Sequence, residues 1–171
     1  DGSPVINNSF MTPTFSDIDN DSDSDFFTGN YAGTVTFYEN VGWDDNIPVF
    51  QFISATWQNI SIIGNLRHGA SAIQFIDLDG DEDFDLSWGD YFHQSLYIIW
   101  NIGNAEFPVM DIFNVIESFP EEDPVITAGQ NMPGFVDLDG DNDLLATNKV
   151  IMKSYQSYSG ETIYFLENIG S

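Results

Sequence analysis

Asp77-Leu78-Asp79-Gly80-Asp81-Glu82-Asp83-Phe84-Asp85 places a carboxylate on every second residue of a short stretch. The pattern occurs earlier as Asp17-Ile18-Asp19-Asn20-Asp21-Ser22-Asp23-Ser24-Asp25 and later as Asp137-Leu138-Asp139-Gly140-Asp141-Asn142-Asp143. The clusters begin at 17, 77 and 137, so they lie 60 residues apart. A fixed period of that size marks a repeat architecture. Of the 20 Asp in the chain, 14 lie in these clusters, so the acid is concentrated rather than spread over a surface.

The repeat extends outward from each cluster. An apolar stretch precedes it: Phe10 to Phe15, Ala72 to Ile76, Met132 to Val136. A second follows it: Phe26-Phe27, Leu86-Ser87-Trp88, Leu144-Leu145-Ala146. A third run ends in an Asn-x-Gly turn, at Val35 to Gly42, Leu96 to Gly103 and Ile163 to Gly170. A fourth follows two of these, Ile47 to Ile53 and Phe107 to Phe113. Short aromatic and β-branched runs bounded by Gly, Asn and Asp read as strands. The expected fold is all-β: three four-stranded antiparallel units, strands A to D, with the Asp cluster in the A–B turn. Four-stranded units at this period suggest β-propeller blades, here at about 9–55, 70–115 and 131–171. The third unit has no strand D. Residues 2–8, with Pro4-Val5, resemble Pro48-Val49 and Pro108-Val109. They are expected to supply that outer strand, in the same or another copy, because open sheet edges are avoided.

Composition narrows the function. The 171 residues carry 28 acidic and 3 basic side chains, a formal net charge of −25. Such a surface repels phosphate backbones, which excludes nucleic acid as a partner, and it disfavours anionic lipid. Hydrophobic residues make up 42%, too many for an acidic disordered tail. No apolar run is long enough to span a bilayer, so no membrane insertion is expected. The absence of cysteine removes disulfides, thiolate metal sites and cysteine nucleophiles together.

Alternating Asp at loop positions suits a hard cation with oxygen ligands, and Ca²⁺ accepts several at flexible geometry. Mg²⁺ is less apt because it keeps its waters. Without a cation, carboxylates ~5 Å apart repel by roughly 0.8 kcal/mol per pair even in water. Gly80 and Gly140 relieve the turn backbone, and Asn20 holds that place in the first loop. An EF-hand reading fails, because the bidentate Glu of position 12 is replaced by Thr28, Trp88 and Asn148. The glycine-rich nonapeptide of RTX β-rolls is absent as well.

The Asp-x-Asp-x-Asp loop after an apolar strand, with Asn-x-Gly some way downstream, resembles the FG-GAP/VCBS repeat family, to which integrin α-subunit propeller repeats are related. The resemblance covers nearly the whole chain as three units. It implies propeller blades with Ca²⁺ in the A–B loops and roles in adhesion or ligand binding. It implies carboxylate ligands at Asp17, Asp19, Asp21 and Asp25, and at Asp77, Asp79, Asp81 and Asp85, with Asp23 and Asp83 giving backbone carbonyls. The third loop departs: Leu145 falls at the ninth position, leaving Asp137, Asp139 and Asp141 with Asp143 as a substitute. Two strong sites and a weaker or altered third are therefore expected.

Elsewhere the sequence offers less. Trp57, Arg67, His68, Tyr155 and Tyr158 fall in long connections and are candidate ligand-binding residues, since loop residues on a rigid scaffold often carry function. The bland alternative is that Trp57 and the tyrosines pack between units and that Arg67 pairs with a local carboxylate. His68 and His93 are the two histidines, and neither belongs to a recognised catalytic motif, so no enzyme is expected. Asn7, Asn20 and Asn59 begin Asn-x-Ser sequons. The leading expectation is a calcium-stabilised extracellular or cell-surface module of a secreted bacterial protein, with a structural or adhesive role. Its partners would be other copies of itself or adjoining repeats, assembled head to tail by strand complementation. The alternative is a non-catalytic module of a larger secreted protein that binds surface glycan or protein.

Overall fold

The computed structural model describes residues 12–62, 71–90, 93–127 and 131–136, and the backbone of two further strands at 143–148 and 163–166. Among the described residues, the strands belong to three antiparallel sheets, none closed on itself. The first holds β1 (Thr12–Ser16), β2 (Asp25–Gly29), β3 (Val35–Asp44) and β4 (Ile47–Ser54), in that order. The second holds β5 (Ala72–Ile76), β6 (Asp85–Gly89) and β7 (Leu96–Ile99). The third holds β8 (Asn131–Val136), β9 (Asp143–Asn148) and β10 (Ile163–Leu166), with β9 in the middle.

Local chemistry explains the first sheet. Asp45 and Asn46 take φ of 46° and 65°, and this pair of left-handed residues makes the tight β3–β4 hairpin. The register shifts between Phe37 and Tyr38 and between Asn40 and Trp43, so bulges absorb the irregular Asn-Val-Gly segment.

The expected fourth strand of the second unit is corrected. Residues 107–113 form no strand and touch their neighbours through isolated bridges, Asn104 with Phe107 and Asn101 with Met110. Side chains divert the backbone donors that a ladder needs. Val109 N–H donates to Asn101 Oδ1 at 2.8 Å, Met110 N–H to Gln58 Oε1 at 2.8 Å, and Pro108 has no N–H. The connection beyond instead covers the edge of β7, where Ile98 and Ile116 exchange two backbone bonds of 2.9 Å.

The core lies between the sheets. Phe27 on β2 meets Phe37 at 4.6 Å, Phe75 of β5 at 4.5 Å and Trp57 at 5.1 Å between ring centroids. Leu86, Trp88, Ile99 and Met110 complete this buried cluster, and Leu96, Val125 and Phe135 form a second one between the second and third sheets. The two joints are made alike. Gly29, at the end of β2, lies against the backbone of Ser71 just before β5, and Gly89, 60 residues on, lies against Asn131 at the start of β8. Ser71 Oγ donates to Asn30 O at 2.8 Å in the first joint, and Asn131 N–H donates to Asp90 O at 3.1 Å in the second.

Gln74 adds a polar clamp to the second joint. Its Nε2 donates to Phe135 O at 3.2 Å, and its Oε1 accepts Phe135 N–H at 2.9 Å. Gln74→Ala strips both partners from a half-buried backbone unit. It is expected to cost about 1–3 kcal/mol, read as a lower urea midpoint at unchanged slope. A midpoint within error of the parent rules out the clamp.

Candidate metal centre

Each described Asp cluster connects the first two strands of its sheet, β1 to β2 and β5 to β6, as the sequence predicts. The loops are wound by their own carboxylates. In the first, Asp17 accepts Asp21 N–H at 3.0 Å and Ser22 N–H at 3.1 Å, and Asp21 accepts Asp23 N–H at 3.0 Å. In the second, Asp77 accepts Gly80 N–H at 2.7 Å and Glu82 N–H at 3.1 Å, and Asp81 accepts Asp83 N–H at 3.1 Å. Carboxylates bonded to nearby N–H groups are the Asx-turn device, which favours tight loops over extended chain.

The expected relief at the fourth loop position is present, with Asn20 at φ 58° and Gly80 at φ 81°. A second left-handed residue, two positions on, was not legible: Ser22 at φ 75° and Glu82 at φ 71°. Nothing in their side chains favours that backbone. Each is held there by its N–H bond to the first Asp of the loop.

Ligand atoms of Asp17, Asp19 and Asp21 lie within 4.8 Å of one another, and so do those of Asp77, Asp79 and Asp85. Taken over both loops, these triads cover loop positions 1, 3, 5 and 9. The last carboxylate of each loop is seated by the Asn-x-Gly turn. Asp25 Oδ1 accepts Asn40 N–H at 2.8 Å, and Asp85 Oδ1 accepts Asn101 N–H at 2.8 Å. Asn40 Oδ1 in turn accepts Gly42 N–H at 3.1 Å, and Asn101 Oδ1 accepts Gly103 N–H at 3.0 Å. The sequence showed these turns as part of the repeat, but not that they hold the loop carboxylates. Their recurrence after each Asp cluster was the signal.

An all-oxygen donor set of this kind suits Ca²⁺. Three carboxylate oxygens, Asp23 Oδ1, Asp25 Oδ2 and Asp83 Oδ1, are buried and accept no hydrogen bond. A buried charged oxygen without a partner is costly, and a bound cation would satisfy it. The Lys and Arg residues all fall outside the described residues, so no basic side chain among the described residues neutralises the loops.

Burial pushes the carboxyls of Asp25 and Asp85 up to about 7, against the lowering effect of their bonds from Asn40 and Asn101. Burial and then the neighbouring Asp81 push Asp83 up to about 6. Asp19, Asp23 and Asp79 are raised as well, by burial first and then by neighbouring carboxylates. A carboxyl with a raised folded pKa holds a proton that the unfolded chain has already lost. Between the ordinary carboxylate range and about 7, this destabilises the cation-free fold as pH rises. In chelator, the melting temperature is therefore expected to rise on acidification from about pH 7.5 to about pH 5, the reverse of ordinary acid denaturation. A chelated protein that instead gains stability steadily towards neutral pH rejects the assignment.

The other predicted residues divide. Trp57 is corrected: it is buried, with its ring on Phe27, Phe37 and Phe75, so it serves the core and offers no ligand surface. Asp137, Asp139, Asp141, Arg67, His68, Tyr155, Tyr158, Asn7 and residues 2–8 lie outside the described residues, as does the side chain of Asp143. Among the described residues, no helix is long and apolar enough to cross a membrane. No protein-family model matches the chain, and neither a curated protein nor a solved structure matches it.

Proposed function

We propose that this chain is a non-catalytic, calcium-stabilised module built from propeller-type repeats of the FG-GAP/VCBS kind, with a structural or adhesive role outside the cell. One observation carries the reading. Two carboxylate loops, 60 residues apart, share the same winding, the same seat for the last Asp and the same class of buried, unpartnered oxygens. A single acidic turn on a protein surface needs no cation. Two loops that bury carboxylates in matching positions are arranged for one. The repeated joints at Gly29 and Gly89 support the repeat reading independently of the loops. Millimolar Ca²⁺, which fills even weak oxygen sites, supports the extracellular setting of this reading.

Calorimetric titration of chelator-stripped protein with Ca²⁺ tests the reading. Binding is expected at both described loops, with Asp19→Asn and Asp79→Asn each weakening a different site. A titration with no binding heat, together with unchanged loop signals by NMR, defeats it.

A further inference from the structure

The second unit departs from the first beyond its Asn-x-Gly turn, and the departure ties its carboxylate loop to the first unit. In the first sheet Asn40 pairs with Phe50 in the β3–β4 ladder, and its Oδ1 accepts Gly42 N–H at 3.1 Å. Asn101 and Met110 hold the matching places in the second unit, joined by an isolated bridge. There Asn101 Oδ1 accepts two backbone donors, Gly103 N–H at 3.0 Å and Val109 N–H at 2.8 Å. The residues on either side of Val109 are held by Gln58. Its Nε2 donates to Pro108 O at 2.9 Å, and its Oε1 accepts Met110 N–H at 2.8 Å. Gln58 belongs to the connection that follows β4, next to the buried Trp57. The first unit thus grips residues 108–110 of the second, and Val109 grips Asn101.

Asn101 also seats the loop. Its N–H donates to Asp85 Oδ1 at 2.8 Å, while Leu78 N–H holds Asp85 Oδ2 at 3.1 Å. Asp85, from the ninth loop position, is a member of the second triad; in the first triad Asp21, from the fifth position, takes that place. The second site therefore depends on Asp85 being held beside Asp77 and Asp79. The Asn101 side chain faces the same loop. Its Nδ2 and Asp83 Oδ1 are both buried without a hydrogen bond, and Asn101 is 7% exposed and Asp83 5%. Burial and then Asp81 raise the Asp83 carboxyl, and the Asn101 amide opposes them.

We infer that Asn101 is a positioning residue of the second calcium site, and that Gln58 of the first unit sets the affinity of that site through it. Asp85 is fixed by Asn101, Asn101 by Gly103 and Val109, and Val109 by the clamp on its two neighbours. Loosening the clamp frees Asn101, and the carboxylate loses its place. Groups that orient metal ligands in this way tune affinity without touching the metal. The coupling is reciprocal, so calcium at the second loop tightens the clamp by the same factor. Among the described residues the first site lacks this link, because residues 47–54 pair with β3 as a strand. The irregular backbone at 107–113 has given up a ladder for contacts that join two units. The inference deepens the calcium reading of the proposed function and rests on it.

Calcium titration of the full chain tests it, followed by NMR at the Ser22 amide for the first loop and the Glu82 amide for the second. Gln58→Ala is expected to weaken binding at the second loop about 5-fold or more and to leave the first unchanged. Asn101→Ala is expected to weaken the second about 10–100-fold. Added to Asn101→Ala, Gln58→Ala should change the affinity little further, because the link is already cut. Gln74→Ala is the control. It removes a like clamp from the other joint, and should lower stability while leaving both affinities alone. In the parent, hydrogen exchange at the Val109 and Met110 amides should slow when calcium is added, which needs no variant to fold. Equal losses at both loops overturn the inference, as does exchange at Val109 and Met110 that ignores calcium. A parent that fills both loops while Gln58→Ala binds as well as the parent defeats the coupling alone. A parent that binds no calcium defeats the calcium reading and the coupling with it.

Discussion

Removal of calcium is expected to lower the melting temperature by about 10–20 °C. A ligand at 100 times its dissociation constant stabilises the fold by about 2.7 kcal/mol per site, so two filled loops contribute about 5 kcal/mol. For a chain of this size each kcal/mol corresponds to about 2–4 °C. The effect is large because two costs vanish together when the cation binds. The carboxylates of each loop cease to repel one another, and the buried oxygens of Asp23, Asp25 and Asp83 gain a partner. Mg²⁺ is expected to restore only part of the loss, since it releases its waters reluctantly. Differential scanning calorimetry in chelator, in Ca²⁺ and in Mg²⁺ measures all three. Identical curves in chelator and in millimolar Ca²⁺ sink the prediction.

Gly89→Ala is expected to destabilise the fold by about 3 kcal/mol or more, and Gly29→Ala by a similar amount. A Cβ on Gly89 would stand 2.3 Å from Asn131 O and 2.5 Å from Pro133 Cδ. On Gly29 it would stand 2.2 Å from Ser71 O. The obstacles are backbone or proline atoms, which cannot swing aside as a long side chain would. Two packed sheets must separate instead, and the apolar contacts between them weaken as they do. Gly80→Ala is the control. Its Cβ meets nothing within 4 Å, so only the left-handed backbone resists, at about 1–2 kcal/mol. Urea melts of the three variants rank them. If Gly89→Ala proves no worse than Gly80→Ala, the sheets do not meet where the structure puts them.

These predictions rest on features of unequal visibility in the chain. The strands flanking each Asp cluster were legible because aromatic and β-branched runs bounded by turn residues have few other conformations. Ala72 to Ile76 becomes β5 residue for residue, and the first two carboxylate loops fall where the 60-residue period puts them. The run at 107–113 misled because it looks like the strand at Ile47 to Ser54. Its donors are claimed by Asn101 and Gln58, and Gln58 lies far away in sequence. Trp57 misled for a related reason. A tryptophan in a long connection reads as an exposed platform until the connection folds back and places it on Phe27.

The sequence alone determined the period, the all-β class, the oxygen-rich loops and the sign of the charge. Each of these is local, set by residue type and spacing within a few positions. Only the tertiary structure decided which carboxylates are buried and what seats them. Burial is set by what packs around a residue, and Asp25 and Asp85 are raised because they are buried beside the Asn40 and Asn101 turns, not because they are aspartates. It alone also decided which face of each sheet is covered. Phe15 and Phe75 occupy the same place in their repeats, and the difference between them is the sheet that lies on one and not on the other.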